Sequence, residues 1–406
     1  MTDTLPKHRV IVTDGDQRSA LAAVRALGRA GHRVLVAAKR ERSLAGASRY
    51  ASDRRAIPDA LREPDAFVEE LGATVRSWGA DVVLPMTDAS MLATLGAVDR
   101  LAPAHLPFAS LESYRAISNK QALLAAAPQF GIAVPAQRAL CPEQVDMIDR
   151  LRVPFPVVIK PSRSVGDHNG HRSSFNVAYA RDGAELSKVV RGMDPGAFPL
   201  LLQQRIVGPG LGIFLLVWDG DTVATFSHRR LREKPPSGGV SVYRESVVAD
   251  PTLVARSKAL LDHFDWRGVA MIEYKIDEVT GTPYLMEING RFWGSLQLAI
   301  DAGVDFPNLL ISTAVDGTRA PDTRYRAGVR SRWWWGDVDQ LLTRLRHSDA
   351  ALALPPDASP RGRAILEFMR LWWPGDRNEV LRLDDPAPFV RESIDWFRRD
   401  LLGRES

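Results

Sequence analysis

The residues best placed to do chemistry sit on two short stretches, Glu273 on one and Glu287, Asn289 and Arg291 on the other. Residues 268–276 and 284–288 read as strands joined by a loop centred on Thr280, so facing positions in the hairpin have numbers adding to 560, as 273 and 287 do. Two carboxylates opposed across such a pair, with Cβ atoms about 5 Å apart, repel each other unless positive charge lies between them. A cation meets that need. Asn289 lies two residues beyond Glu287, projects from the same face and adds a neutral oxygen. Two carboxylates and an amide form a hard, all-oxygen set of the kind that takes magnesium together with substrate phosphates. Arg291, two residues further on, is within reach of a phosphate or an anionic transition state. Val269, Met271 and Leu285 share the carboxylates' face, which is therefore expected to be covered, and Ala270, Ile272, Ile276, Met286 and Ile288 supply the opposite, core face.

Lysine is scarce: of 53 Lys and Arg residues only eight are Lys, leaving 45 Arg. Two of the eight stand at informative places, Lys160 at the end of an apolar strand before Pro161 and Lys120 in a helical stretch after Asn119. A third group is the run from His228 to Ser241. In a continuing strand, Arg230 and Arg232 share one face and can fork onto a carboxylate. Ser237, Gly238 and Gly239 follow two prolines and read as a shaped loop whose backbone approaches a ligand.

The elements that must hold these residues are of two kinds. Up to about residue 105, short β-rich runs (10–12, 33–37, 81–84) alternate with amphipathic helical patterns (19–29, 65–78), the form of a Rossmann-like α/β domain with a mostly parallel sheet. The turn at 13–19 lacks the spaced glycines of a dinucleotide fingerprint. It reads either as a helix N-terminus with free amides for an anion or as a tight turn capped by Ser19. From residue 106 the texture is α+β, with a strand at 157–160, a loop to about 172, strands near 175–180 and 200–206, and a hairpin of 212–218 with 222–227 across Asp219-Gly220. The expected organisation is an entry domain (1–105), two lobes (106–194 and 195–320) and an extension (321–406). That extension holds six of the ten Trp and no Lys, and is expected to pack on the core through large aromatic area.

Composition narrows the class. With 406 residues, 45% hydrophobic, 25% charged and a net charge of +4, the chain is an ordinary globular one. Its basic residues are interspersed with acids, which argues against a nucleic-acid binder. Neither a secretory signal nor a membrane-length apolar run is evident, so a cytoplasmic protein with no membrane partner is expected. A single Cys, Cys141, rules out an internal disulfide and a multi-thiolate metal site.

Over residues 1–315 the sequence resembles the ATP-grasp family of carboxylate–amine ligases, most specifically at Glu273 and Glu287-Ile288-Asn289-Gly290-Arg291. The resemblance implies a Rossmann-like preATP-grasp domain followed by two lobes that clamp ATP. It implies two magnesium ions, or manganese in their place, on Glu273, Glu287 and Asn289. Arg291 matches the arginine that stabilises the transferring phosphoryl group, and Lys160 the lysine on the α and β phosphates and adenine. Lys120 matches an earlier lysine used likewise, and Arg244 is expected at the γ-phosphate. Gln203-Gln204-Arg205-Ile206 looks like the interlobe hinge whose backbone at 204 and 206 holds the adenine edge. Gln204 stands where an acid is common, and Gly210 where a ribose-binding acid is expected. The loop 162–171 takes the place of the glycine-rich phosphate flap with only Gly166 and Gly170.

The implied activity is amide formation through an acyl phosphate, with release of ADP and phosphate. The implied partners are a small carboxylic acid and an amine, and the implied assembly is a homodimer. Three alternatives stand beside it: passage of the acyl phosphate to a non-amine nucleophile; from another class, a nicotinamide-dependent reductase using the first βαβ unit; and a catalytically silent nucleotide-binding or scaffold protein, against which the intact Glu273, Glu287, Asn289 and Arg291 argue.

Overall fold

In a computed structural model the described residues are all but 1–6, 169–170, 237, 319–323, 350, 353, 355–358, 371–374 and 403–406. The first sheet is parallel, in the order β3-β2-β1-β4, built from β1 (Arg9–Val12), β2 (Arg33–Ala38), β3 (Asp53–Ala56) and β4 (Val82–Leu84). Strands β1, β2 and β4 are apolar runs because helices Arg18–Ala30 and Pro64–Trp78 contribute to the two separate apolar cores of the sheet, whereas the edge strand β3 is polar and largely exposed. At the first turn the structure departs from the expected Ser19 cap. The helix starts at Arg18 with Gln17 at its cap, not Ser19, and the turn carries a carboxylate: Asp14 accepts from Ser90 Oγ (2.6 Å), Thr13 Oγ1 (2.6 Å) and Thr87 Oγ1 (3.1 Å). A carboxylate there ties the turn to the start of helix Asp88–Leu95 and repels a phosphate.

The second sheet is the small lobe, ordered β5-β10-β6-β9, with β5 (Gln137–Leu140) and β6 (Val157–Pro161). The expected loop after β6 is instead a two-stranded hairpin, β7 (Val165–His168) with β8 (His171–Ser174). Beyond it come β9 (Ala178–Ala180) and β10 (Leu200–Gln204), which pairs with both β5 and β6. The strand at 200–204, expected in the large lobe, therefore belongs to the small one, and the link between lobes is 205–209. Gly208 closes that link: at φ +141° a Cβ would stand 1.8 Å from the Ile276 carbonyl oxygen, so only glycine fits.

The large lobe is a seven-stranded sheet in the order β15-β14-β11-β12-β13-β16-β17. It comprises β11 (Gly210–Trp218), β12 (Asp221–Lys234), β13 (Val240–Ser246), β14 (Gly268–Ile276), β15 (Pro283–Asn289), β16 (Arg330–Arg332) and β17 (Asp376–Asn378). β11 and β12 form the expected hairpin, with Asp219 (φ 48°) and Gly220 (φ 83°) both left-handed at the turn. The extension does more than pack: β16 and β17 lengthen the large sheet. Its aromatic cluster stacks Trp335 on Trp396 (4.2 Å between centroids), while Trp372 and Trp373 lie outside the described residues. Ion pairs from Asp385 to Arg25 (2.8 Å) and from Glu379 to Arg18 (2.6 Å) join it to the first domain. The architecture is α/β followed by α+β, as the composition of the segments indicated.

Candidate active site

β14 and β15 meet in the register that sets Glu273 opposite Glu287, Ile272 opposite Ile288 and Met271 opposite Asn289. Toward the turn a bulge shifts the pairing by one, so that Tyr274 faces Leu285. Met286 is the extra residue and lines the cleft, rather than joining the core face as strict alternation predicts. Its sulfur lies 3.7 Å from Lys160 Nζ, which reaches across from the small lobe.

Between the lobes is a cleft of about 810 Å³ whose walls include Lys120, Lys160, Arg230, Glu273, Glu287, Asn289 and Arg291. A second cavity of about 200 Å³ adjoins it through Lys120, Glu287 and Asn289 and is walled by Asp88, Tyr114 and the β7–β8 hairpin. The two opposed carboxylates are compensated by side-chain cations: Arg230 Nη2 donates to Glu273, and Lys120 Nζ lies 3.2 Å from Glu287. Lys120 also donates to Ser164 Oγ (3.1 Å). Asn289 Nδ2 donates to Glu287 Oε1 (3.1 Å), and Arg291 Nη2 donates to Asn289 Oδ1 (3.3 Å) and Asp88 Oδ2 (2.8 Å).

The electrostatics follow from burial against these partners. Burial raises the Glu273 carboxyl and outweighs Arg230, with the Glu287 charge adding to the rise. Burial acts on Glu287 in the same sense, but Lys120 and Lys160 hold it down to about 2. For Lys160 burial wins, lowering its amine to about 8 against the pull of Glu287. Asp88 is held below its ordinary value because Arg291 outweighs burial.

Several expected site residues go elsewhere. Arg232 and Arg230 do not share a face, since β12 bulges at Leu231, setting Arg230 opposite Arg244 but Arg232 opposite Tyr243. Arg232 turns out of the cleft onto Asp337 (2.7 and 2.6 Å). Arg244 is fully buried, donating to Glu379 and to the Ser241 carbonyl (2.7 Å), so it has no path to a phosphate. Gln203 is buried in the small-lobe sheet against Gln137, and the Gln204 N–H is taken by the Ala136 carbonyl (2.8 Å). Ile206 is buried in the interlobe link. Gly238 and Gly239 line the cleft; Ser237 lies outside the described residues.

Sequence reasoning missed two partners. Asp88, which orients Arg291, had a local signal in the Thr87 cap of its helix. The Arg230–Glu273 pair had none, because it joins strands separated by β11.

The donor set is compatible with a hard divalent cation: Glu273, Glu287 and Asn289 can each present an oxygen to it once Arg230 cedes Glu273, Lys120 cedes Glu287 and Arg291 cedes Asn289 Oδ1. Among the described residues no group of three or more His, Cys, Asp or Glu is assembled as a metal site. The set here is two acids completed by an amide.

Two lobes thus flank a cleft lined by lysines and opposed carboxylates. Residues 197–334 match the family described as ATP-grasp in the biosynthetic pathway with Ter operon. Solved structures give the same fold. An L-amino acid ligase from Bacillus licheniformis aligns with TM-score 0.60 at 17% identity over 78% of each chain. The ADP complex of N5-carboxyaminoimidazole ribonucleotide synthetase aligns with TM-score 0.60 at 16% identity, over 79% of this chain and 80% of that one. A biotin carboxylase from Campylobacter jejuni aligns with TM-score 0.61 at 14% identity, over 80% and 74%. No curated protein sequence matches the chain. The ATP-grasp family match thus covers the large lobe, and the solved structures extend the likeness of fold to about four fifths of the chain. Among the described residues no helix is long and apolar enough to cross a membrane.

Proposed function

We propose that the protein is an ATP-dependent carboxylate–amine ligase. The observation that carries this reading is the facing pair Glu273 and Glu287, continued by Asn289 and Arg291, set across one cleft from Lys120 and Lys160. In this reading a carboxylate oxygen attacks the γ-phosphorus of ATP; the P–O bond to ADP breaks, and an acyl phosphate forms. The amine then attacks the acyl carbon, a C–N bond forms, phosphate leaves with the C–O electron pair, and the nitrogen gives up a proton.

The chain's own contribution is positioning and charge neutralisation. Lys160 and Lys120 approach the phosphates, Arg291 faces the charge developing on the transferred group, and Asp88 holds Arg291 in place. Glu273, Glu287 and Asn289 would hold magnesium, which when bound would supply Lewis-acid neutralisation of phosphate charge. Val165, Gly166 and Arg172 of the β7–β8 hairpin wall the smaller cavity beside Lys120 and Glu287, and in this reading that hairpin shields an acyl phosphate from water. The hinge 204–206 is assigned to the adenine edge through its backbone, with the small acid, the amine and a homodimeric, cytoplasmic setting as the accompanying proposals.

The test is ADP release over a library of acids with hydroxylamine trapping of the acyl phosphate. Hydroxamate formed in an ATP-dependent manner supports the reading. Nucleotide binding without any acid-dependent ADP release refutes it.

A further inference from the structure

One wall of the cleft holds hydrogen-bonding atoms that have no partner. His228 and Trp293 are 1% and 2% exposed, and neither ring nitrogen of His228 nor Nε1 of Trp293 is hydrogen-bonded. The Nε atoms of Arg230 and Arg291 are likewise unpaired. All four side chains line the same cleft. His228 and Trp293 are held together by one ring, Phe214, with centroids 4.8 Å and 4.4 Å away. Gly212, beside Phe214, makes room: a Cβ there would lie 2.6 Å from the Phe214 ring and 3.1 Å from His228 Cδ2.

A buried polar atom left unpaired costs about 1–3 kcal/mol, and folded proteins keep few of them. Because these atoms are already out of water, a ligand that bonds to them loses no hydration on the protein side and relieves that cost. Their chemistry specifies the ligand. Indole Nε1 and guanidinium Nε can only donate, whereas a neutral imidazole donates from one nitrogen and accepts at the other. The imidazole is kept neutral by burial, with Arg230 and Arg244 adding to the effect. The wall thus offers several donors under positive charge from Arg230 and Arg291, and one acceptor.

We propose that this wall is the subsite for an α-amino or α-hydroxy acid, whose carboxylate oxygens accept from Trp293 Nε1 and Arg230 Nε and whose amino or hydroxyl group bonds to the ring of His228. The inference rests on the ligase reading only in making that acid one of the two substrates. An aromatic cluster that merely packs would leave the same three rings in contact but would not respond to small acids.

The experiment uses the full chain with 15N-labelled histidine, in which His228→Phe identifies the His228 signals among the eight histidines. The amino acids, lactate and malate are titrated in, with acetate and methylamine as controls, in the absence and presence of magnesium and a non-hydrolysable ATP analogue. The expected result is that at least one α-amino or α-hydroxy acid moves the His228 ring-nitrogen resonances and neither control does. For that acid, His228→Phe and Trp293→Phe each raise KM in ADP release about tenfold, corresponding to about 1.4 kcal/mol, with His228→Gln intermediate because it keeps a donor and an acceptor. The ATP-analogue Kd stays within about twofold of wild type in all three variants. A silent panel with normal analogue binding, equal shifts from acetate and methylamine, or an unchanged KM in both Phe variants overturns the subsite while leaving the ligase reading intact. Resonance shifts with no acid-dependent ADP release do the reverse.

Discussion

The large sheet carries paired arginines and carboxylates at both of its ends, and the two ends behave differently. Toward β14 and β15, Arg230 and Lys120 meet Glu273 and Glu287 on the wall of a cleft, and the acids keep 16% and 30% of their side-chain surface exposed. Toward β16 and β17, Arg232 and Arg332 converge on Asp337, and Arg244 and Arg18 on Glu379, with those acids 0% and 2% exposed. Similar residue types thus serve as a site where space adjoins them and as a staple where protein does. In the first case an incoming charge can exchange partners with the pair; in the second, removing one member strands the others in a medium that solvates them poorly.

Breaking each end in turn separates the roles. Glu287→Gln should lower acid-dependent ADP release by about a thousandfold, the equivalent of several kcal/mol of transition-state stabilisation, while the urea midpoint stays close to wild type. Asp337→Ala should do the opposite, costing about 3–5 kcal/mol in urea unfolding because the buried Arg332 and the half-buried Arg232 lose their shared partner, with ADP release per folded molecule changed by less than about threefold. If the two variants lose stability and activity in parallel, the distinction between the two ends fails.

Lys160 sharpens the site end. Its amine, lowered by burial to about 8 from an ordinary 10.5, loses its proton as pH rises through 8 in the free protein. ATP-analogue affinity should therefore weaken about tenfold between pH 7 and pH 9, and Lys160→Arg, which stays charged, should give a flatter profile from a weaker starting point. The stability sign is opposite. Between pH 8 and 10.5 the folded state holds fewer protons here than the unfolded chain, so this lysine's contribution to stability rises with pH in that window. A pH-independent affinity in the wild type would remove Lys160 from the phosphates.

Legibility in the sequence followed the range of the interaction. The opposition of Glu273 and Glu287 was readable because a hairpin register is local arithmetic, and it holds from Met271 to Glu273. The bulges at Met286 and Leu231 were not, since a one-residue insertion leaves the apolar pattern almost intact yet turns a side chain to the other face. That is why Arg232 was expected beside Arg230 and is found on Asp337. Arg244 shows a different limit. A buried arginine and a phosphate-binding one look alike until the acid 135 residues away, Glu379, is seen beneath it. The two-lobed architecture was legible from its alternating elements. The placement of strand 200–204 was not, because an apolar strand pairs equally well with either neighbour until the chain closes.

The smallest expected effect belongs to the stapled end, where Trp333 Nε1 donates to Glu392 (2.7 Å). Burial pushes the Glu392 carboxyl up from 4.5 to about 7, the indole hydrogen bond and Arg18 oppose the shift, and Glu379 and Asp339 add to it. With the folded value above the unfolded one, the folded state binds more protons between pH 4.5 and 7. Glu392 therefore stabilises most at low pH, and that contribution is lost as pH rises through 7. Urea midpoints between pH 5 and pH 8 should fall less in Glu392→Gln than in wild type, because the amide still accepts from Trp333 at every pH and has no charge to desolvate. ADP release should not follow that curve. Were it to track the Glu392 titration, the extension would be coupled to the cleft through Arg18, which pairs with Glu379 and lines the cleft wall, and the two ends of the sheet would be one functional unit.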